Sequence, residues 1–167
     1  MRVLIAHGSK LGGTAGIAEM LGESLRANGL EVDVRPARDI RDMQSYDAVI
    51  VGGALYAFRW HHDATRFVRR HRRVLKKKPV WLFSSGPLDD SALEKDIPPV
   101  RHVRNAMVSV GAIEHVTFGG ALPEDAKGFI ASKMAADHAG DWRDPEHIAR
   151  WGRRIAEVLH GAQVDQA

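Results

Sequence analysis

Cysteine is missing from all 167 residues. Its absence excludes a disulfide framework, a Cys-ligated zinc or iron–sulfur site, and thiol chemistry, and it fits a reducing compartment. Long apolar runs are missing too. The N-terminal run Val3-Leu4-Ile5-Ala6 is closed by His7-Gly8, too short for the core of a secretory signal. No stretch approaches the roughly 20 residues that span a bilayer. These two absences predict a cytoplasmic protein. There are no internal repeats or low-complexity tracts. Acidic residues are absent from Ala64 to Leu88, a window that holds Arg66, Arg69, Arg70, Arg72, Arg73, Lys76, Lys77 and Lys78 although the whole chain is only +3. Such a run is either the solvated face of a helix or a docking patch for an acidic protein or an anionic membrane surface. The excess over the whole chain is too modest to point to nucleic acid.

A chain of this length suits one domain and buries roughly 70% of the surface its unfolded form exposes. The domain is expected over residues 1–162, with 163–167 as a short tail. Short apolar runs alternate with segments of helical period, the mark of βαβ units and a parallel sheet. Strands are expected at Val3–Ala6, Glu31–Arg35, Ala48–Val51, Val80–Phe83 and Ile113–Phe118. Helices are expected after Thr14, from Ala64 to Leu75, over Val100–Val110, over Gly128–Asp137 and from Pro145 onward, where Ile148, Trp151, Ile155, Val158 and Leu159 form an apolar stripe. Asp89–Pro99 reads as irregular. The fold class is therefore α/β, a three-layer sandwich on a five-stranded parallel sheet of order 2-1-3-4-5. Ligands of such sheets sit beyond the C-terminal strand ends, where the winding reverses. Three loops meet there: Gly8–Thr14, Gly53–Trp60 and Ser84–Leu88.

The first loop, Ser9-Lys10-Leu11-Gly12-Gly13-Thr14, leads directly into a helix. Small residues let its backbone wrap a ligand, and the free N–H groups of the first helical turn favour an anion. Ser9 and Thr14 add hydroxyls. A terminal phosphate fits. The Walker A pattern fails because no lysine precedes Thr14, and G-x-G-x-x-G does not register on Gly8, Gly12 and Gly13.

This loop resembles the [ST]-x-T-G-x-T signature of flavodoxins. Ser9, Gly12 and Thr14 match, and Leu11 replaces a threonine, at the cost of one hydroxyl donor. The resemblance implies FMN, held by Ser9, Lys10, Leu11, Gly12, Gly13 and Thr14 at its phosphate. It also implies that Ala54, Leu55, Tyr56, Ala57 and Trp60 lie near the ring, and that Ser84, Ser85, Gly86 and Pro87 line its pyrimidine edge. Read from the residues, the aromatic segment Tyr56-Ala57-Phe58-Arg59-Trp60 either packs a flat apolar ring, with Tyr56 and Trp60 flanking it, or plugs the core. Phe58 fits either role.

Tyr56 with His61-His62, the basic segment after them, the Ser-rich turn, Gly119-Gly120-Ala121-Leu122 and Asp141-Trp142 together look like the flavodoxin-domain group containing menaquinone-dependent protoporphyrinogen oxidase. That resemblance covers nearly the whole chain. It departs at Pro123–Gly140, which carries Glu124, Asp125 and Asp137 and the single aromatic Phe129. In the oxidase this segment is long, aromatic and basic.

Other constellations carry less. His61-His62-Asp63 has the residue types of a metal site, but neighbours at a helix start are expected to diverge, and Asp63 suits the positive end of a helix dipole. A hydrolase elbow G-x-S-x-G is missing. A response-regulator reading wants acidic residues where His7-Gly8 and Gly52-Gly53 stand. The reading that remains is an FMN-dependent redox protein with no catalytic side chain and no metal, whose partner is a redox protein or a quinone. Its rivals are a protoporphyrinogen oxidase-type dehydrogenase and a non-enzymatic module, with or without flavin, acting through its basic face.

Overall fold

The computed structural model describes residues 1–122 and 140–164, with side chains to residue 162. The helix expected over 128–137 and the acidic segment around Phe129 lie outside the described residues. The parallel strands are β1 (Arg2–Gly8), β2 (Glu31–Pro36), β3 (Ala48–Tyr56), β5 (Val80–Ser85) and β6 (Glu114–Phe118). They lie in the order β2-β1-β3-β5-β6, and a two-residue strand β4 (Arg59–Trp60) folds back antiparallel on β3. Without β4, this is the expected 2-1-3-4-5 arrangement. A separate two-stranded ladder pairs β7 (Ala121–Leu122) with β8 (Gly140–Asp141).

The unbroken apolar runs become central strands because both of their faces are covered. On one side Val3 and Ile5 of β1 pack with Ile17, Leu21 and Leu25 of α1 (Gly13–Ala27) and with Trp151, Ile155 and Leu159 of α5 (Pro145–Val164). On the other, Leu4 and Ala6 pack with Phe67, Val68 and Leu75 of α2 (His62–Leu75) and with Val103 and Val110 of α4 (Arg101–Val110). Alternate residues of one strand thus enter opposite layers. Asp89–Pro99, expected to be irregular, contains a single turn of helix, α3 (Ser91–Glu94).

Register sets the site. His7 pairs with Gly52 and Gly8 with Gly53, while Gly53 and Ala54 pair with Ser84 and Ser85. The loops after β1, β3 and β5 therefore leave the same edge of the sheet at the same level. Sheet order reverses at β1, so the loops after β1 and β3 diverge and leave a crevice between them. No helix among the described residues is long and apolar enough to cross a membrane.

Candidate functional site

The loop after β1 is a tight turn without an internal anion. Ser9 Oγ accepts a hydrogen bond from the Gly12 amide at 3.0 Å, keeping its own proton free to donate. Gly12 takes φ +85°, a left-handed conformation that costs glycine nothing. At Gly13 the reason for glycine differs: a Cβ would stand 3.0 Å from the Ala121 carbonyl oxygen, where β7 crosses the loop. Helix α1 begins at Gly13 with no side-chain cap and no acidic residue in its first turn. Its first amides therefore keep their positive field. Thr14 is only 1% exposed, yet its Oγ1 has no hydrogen-bond partner among the described residues. A buried hydroxyl left unpaired costs of the order of 1–3 kcal/mol, and at the head of a helix such a donor is suited to an acceptor.

The segment Ala54–Trp60, expected to be a loop, is a β-hairpin. Leu55 pairs with Trp60 and Tyr56 with Arg59. Ala57 and Phe58 make the turn with φ of +47° and +60°. A two-residue turn of this hand favours Asn-Gly, and Ala57-Phe58 carries no such signal. The hairpin sorts the aromatics. Phe58 is 84% exposed at the tip. Trp60, expected beside a ring, is turned inward instead: it is 5% exposed among the core residues under β3, with its indole over Gly53. It offers almost no surface for stacking. Tyr56 stays half-exposed at the crevice, and its phenol oxygen accepts from the Lys10 amide at 3.3 Å. Burial raises the Tyr56 pKa against the opposing effect of backbone bonds from Lys10 and Leu11, so the phenol is neutral at physiological pH.

The third loop divides in two. Ser84 is buried, and its hydroxyl is bonded to His115 Nε2 of the neighbouring strand β6 at 2.9 Å. Ser85, Gly86 and Pro87 lie at the rim. The Gly86 amide donates to the Phe118 carbonyl and the Gly120 amide to the Pro87 carbonyl. A Cβ on Gly86 would stand 2.9 Å from Leu55, so this loop touches the hairpin. Ala54 is buried at the base of the hairpin, and Ala57 is exposed at its tip. The structure thus brings Ser9–Thr14, Leu55, Tyr56, Ser85, Gly86 and Pro87 around one crevice, and sends Trp60 and Ser84 elsewhere.

The ladder β7–β8 closes the outer side. Gly120 accepts from the Trp142 amide at 3.0 Å, and Arg143 is held by Asp141. Sequence reasoning missed Arg143, whose only signal was its neighbour in Asp141-Trp142. His61-His62-Asp63 does not diverge as expected: its ligand atoms lie within 4.8 Å of one another. The grouping is a helix cap. The Asp63 amide donates to His61 Nδ1 at 3.2 Å, and His62 Nε2 lies 3.0 Å from Asp63 Oδ1.

The basic segment is an exposed helix face. Arg66, Arg69, Arg70, Arg72, Arg73, Lys76 and Lys77 are exposed, and the adjacent α4 adds exposed Arg101 and Arg104. None of them forms an ion pair among the described residues. Segments 62–78 and 101–110 together hold ten of the 24 Lys and Arg and one of the 21 Asp and Glu, namely Asp63. That face is net +9, and the remainder of the chain is net −6.

Residues 4–134 match the family described as Flavodoxin domain. The chain belongs to the flavodoxin-domain family. This flavodoxin-domain chain is also 29% identical over 86 residues to protoporphyrinogen IX dehydrogenase [quinone] of Escherichia coli K12, a match over 50% of the chain and 48% of that protein. It thus spans about half the length of the curated relatives it matches. Among solved structures it resembles a variant of flavodoxin from Pseudomonas aeruginosa (TM-score 0.64, 17% identity, 96% and 99% of the two chains). It also resembles oxidised Flavodoxin 1 from Bacillus cereus (TM-score 0.63, 17% identity, 94% and 98%). At those identities the likeness is one of fold.

Proposed function

We propose that this chain binds FMN non-covalently in the crevice and works as a redox protein, in electron transfer or flavin-dependent oxidoreduction. The observation that carries the reading is the Thr14 hydroxyl, buried and unpaired among the described residues, in the first turn of an uncapped helix that opens on a glycine turn. That arrangement fits a phosphate: an acceptor-only anion satisfies Thr14 Oγ1 and the first-turn amides together. When bound, FMN supplies one- and two-electron chemistry at its isoalloxazine ring.

The chain's own part is binding and exclusion. Ser9, Gly12, Gly13 and Thr14 hold the phosphate, with Lys10 and Leu11 completing the turn. Tyr56 offers its half-exposed ring as a stacking surface on the hairpin side. Ser85, Gly86 and Pro87 line the crevice on the side of the flavin's polar rim. No titratable side chain is needed as an acid or base.

The partner we favour is an acidic redox protein seated on the +9 face, with a quinone acceptor or an anionic membrane surface as the alternative. The likeness to a quinone-linked protoporphyrinogen dehydrogenase supports the quinone, and covers only half of either chain. The charge of α2 and α4 supports the acidic protein.

The deciding experiment is the visible spectrum of the purified protein before and after incubation with FMN and gel filtration. Retained flavin bands, weakened by Ser9→Ala with Thr14→Ala, support the reading. A protein that stays colourless after loading overturns it and leaves a module that acts through its basic face.

A further inference from the structure

Arg143 is a cation that the structure anchors against the first half of α1, at Gly16. Two of its three guanidinium nitrogens are occupied by Asp141: Nε donates to Oδ1 at 2.8 Å and Nη2 to Oδ2. The Asp141 carboxylate also accepts the Arg143 amide at 3.0 Å, so the pair is closed over its own backbone. The third nitrogen, Nη1, has no hydrogen-bond partner among the described residues, and it lies across Gly16. A Cβ on Gly16 would overlap it. Glycine in the body of a helix costs roughly 0.5–1 kcal/mol relative to alanine. Here that cost leaves room for the guanidinium against the helix flank.

The neighbourhood favours an anion. The first turn of α1 has no acidic residue, Thr14 Oγ1 in that turn is buried with no partner among the described residues, and β7 lies on Gly13. The ladder β7–β8 therefore fastens the segment that carries Arg143 to the phosphate loop. Asp141 fixes the guanidinium plane and leaves one N–H pair to spend, as a positioning residue does for a charged donor. Leu11 is the position where the loop lacks a hydroxyl donor, and Arg143 is a charged donor fastened beside the same loop.

We propose that Arg143, oriented by Asp141, is a phosphate-recognising residue of this site and makes it select a phosphorylated flavin over riboflavin. The proposal rests on the FMN reading above and adds to it a residue and a selectivity. Arg143 acts on the phosphate end alone and leaves the ring end of the crevice untouched.

The test is a pair of titrations, FMN and riboflavin, against the flavin-free 167-residue chain, followed by quenching of flavin fluorescence. Arg143→Gln should weaken FMN roughly tenfold or more, the loss typical of one charge-assisted hydrogen bond, and leave riboflavin unchanged. It should also flatten the salt dependence of FMN binding. Gly16→Ala is the second variant. It keeps both Arg143 and Asp141, improves the helix, and crowds Nη1 away, so it should weaken FMN and not riboflavin while the unfolding midpoint holds or rises. Wild-type protein that binds FMN while both variants bind it equally well overturns the role of Arg143 alone. An equal loss for FMN and riboflavin also overturns it, since the effect would then lie in the scaffold. Wild-type protein that binds neither flavin overturns the FMN reading and this proposal with it.

Discussion

The phenol oxygen of Tyr56 accepts a hydrogen bond from the main-chain amide of Lys10 at 3.3 Å, tying the hairpin after β3 to the turn after β1. The two loops lie on opposite sides of the point where the sheet reverses, and Tyr56 is the bolt between them. Removing only the hydroxyl, in Tyr56→Phe, keeps the ring and frees the Lys10 amide. We expect FMN to bind several-fold more weakly, with apo-protein stability altered by less than about 1 kcal/mol. Calorimetric titration and a urea melt read the two quantities separately, and an unchanged affinity would show the bond to be incidental.

The hairpin turn stores strain. Ala57 and Phe58 both hold positive φ, and Phe58 also exposes an aromatic ring. Replacing the pair by Asn-Gly, as Ala57→Asn with Phe58→Gly, keeps the turn and relieves it. The double variant should be more stable by about 1–2 kcal/mol, seen as a higher urea midpoint at unchanged slope. If Phe58 touches a partner, the same variant should lose partner binding while gaining stability.

His115 sets an acid limb. Burial lowers its pKa from 6.5 to about 4, partly opposed by Asp96. The folded protein therefore holds this imidazole neutral where the unfolded chain would protonate it. The stability it contributes is full above pH 6.5 and is lost as the pH falls toward 4. A His115→Gln variant should show a flatter stability curve between those values, measured by denaturant melts at each pH. A wild-type curve that is already flat there would contradict this.

Gly52→Ala tests the packing behind the crevice. Its Cβ would overlap the Phe83 ring in the middle of the sheet. Because Phe83 also packs edge-on against Phe118 and Trp151, it has little freedom to yield. A loss of about 2–3 kcal/mol is expected, and a thermal melt reads it.

The basic face predicts a kinetic signature. Arg69→Glu with Arg73→Glu removes four units of charge from α2. The second-order rate of electron exchange with an acidic ferredoxin, followed by stopped flow, should fall by tenfold or more at low salt and converge with wild type at high salt. Equal rates at every ionic strength would place the partner elsewhere.

Much of the fold was legible in the sequence, for a physical reason. Runs such as Val3–Ala6 and Val80–Phe83 are apolar without alternation because helices cover both faces of the sheet, and that fixes a parallel, doubly wound architecture. The glycine turn that opens α1 was legible because its glycines and hydroxyls are adjacent in the chain. The hairpin was not. A turn through Ala57-Phe58 uses residues that do not favour positive φ, so tertiary context imposes it and no local propensity announces it. The burial of Trp60 and Ser84 was not legible for a related cause: composition locates an aromatic or a hydroxyl, and only strand register decides which side of the sheet it faces. Arg143 was missed because its meaning depends on Gly16, far away in sequence.

The segregation of charge between the α2–α4 face and the rest of the molecule makes the protein an electric dipole far larger than its net +3 suggests. In the field of an acidic surface it feels a torque as well as a pull. At physiological salt that field fades over about 8 Å, so the turning happens in the last moments of approach. The molecule would reach its target already rotated, with the Phe58 tip and the mouth of the crevice carried round together by the helix they adjoin.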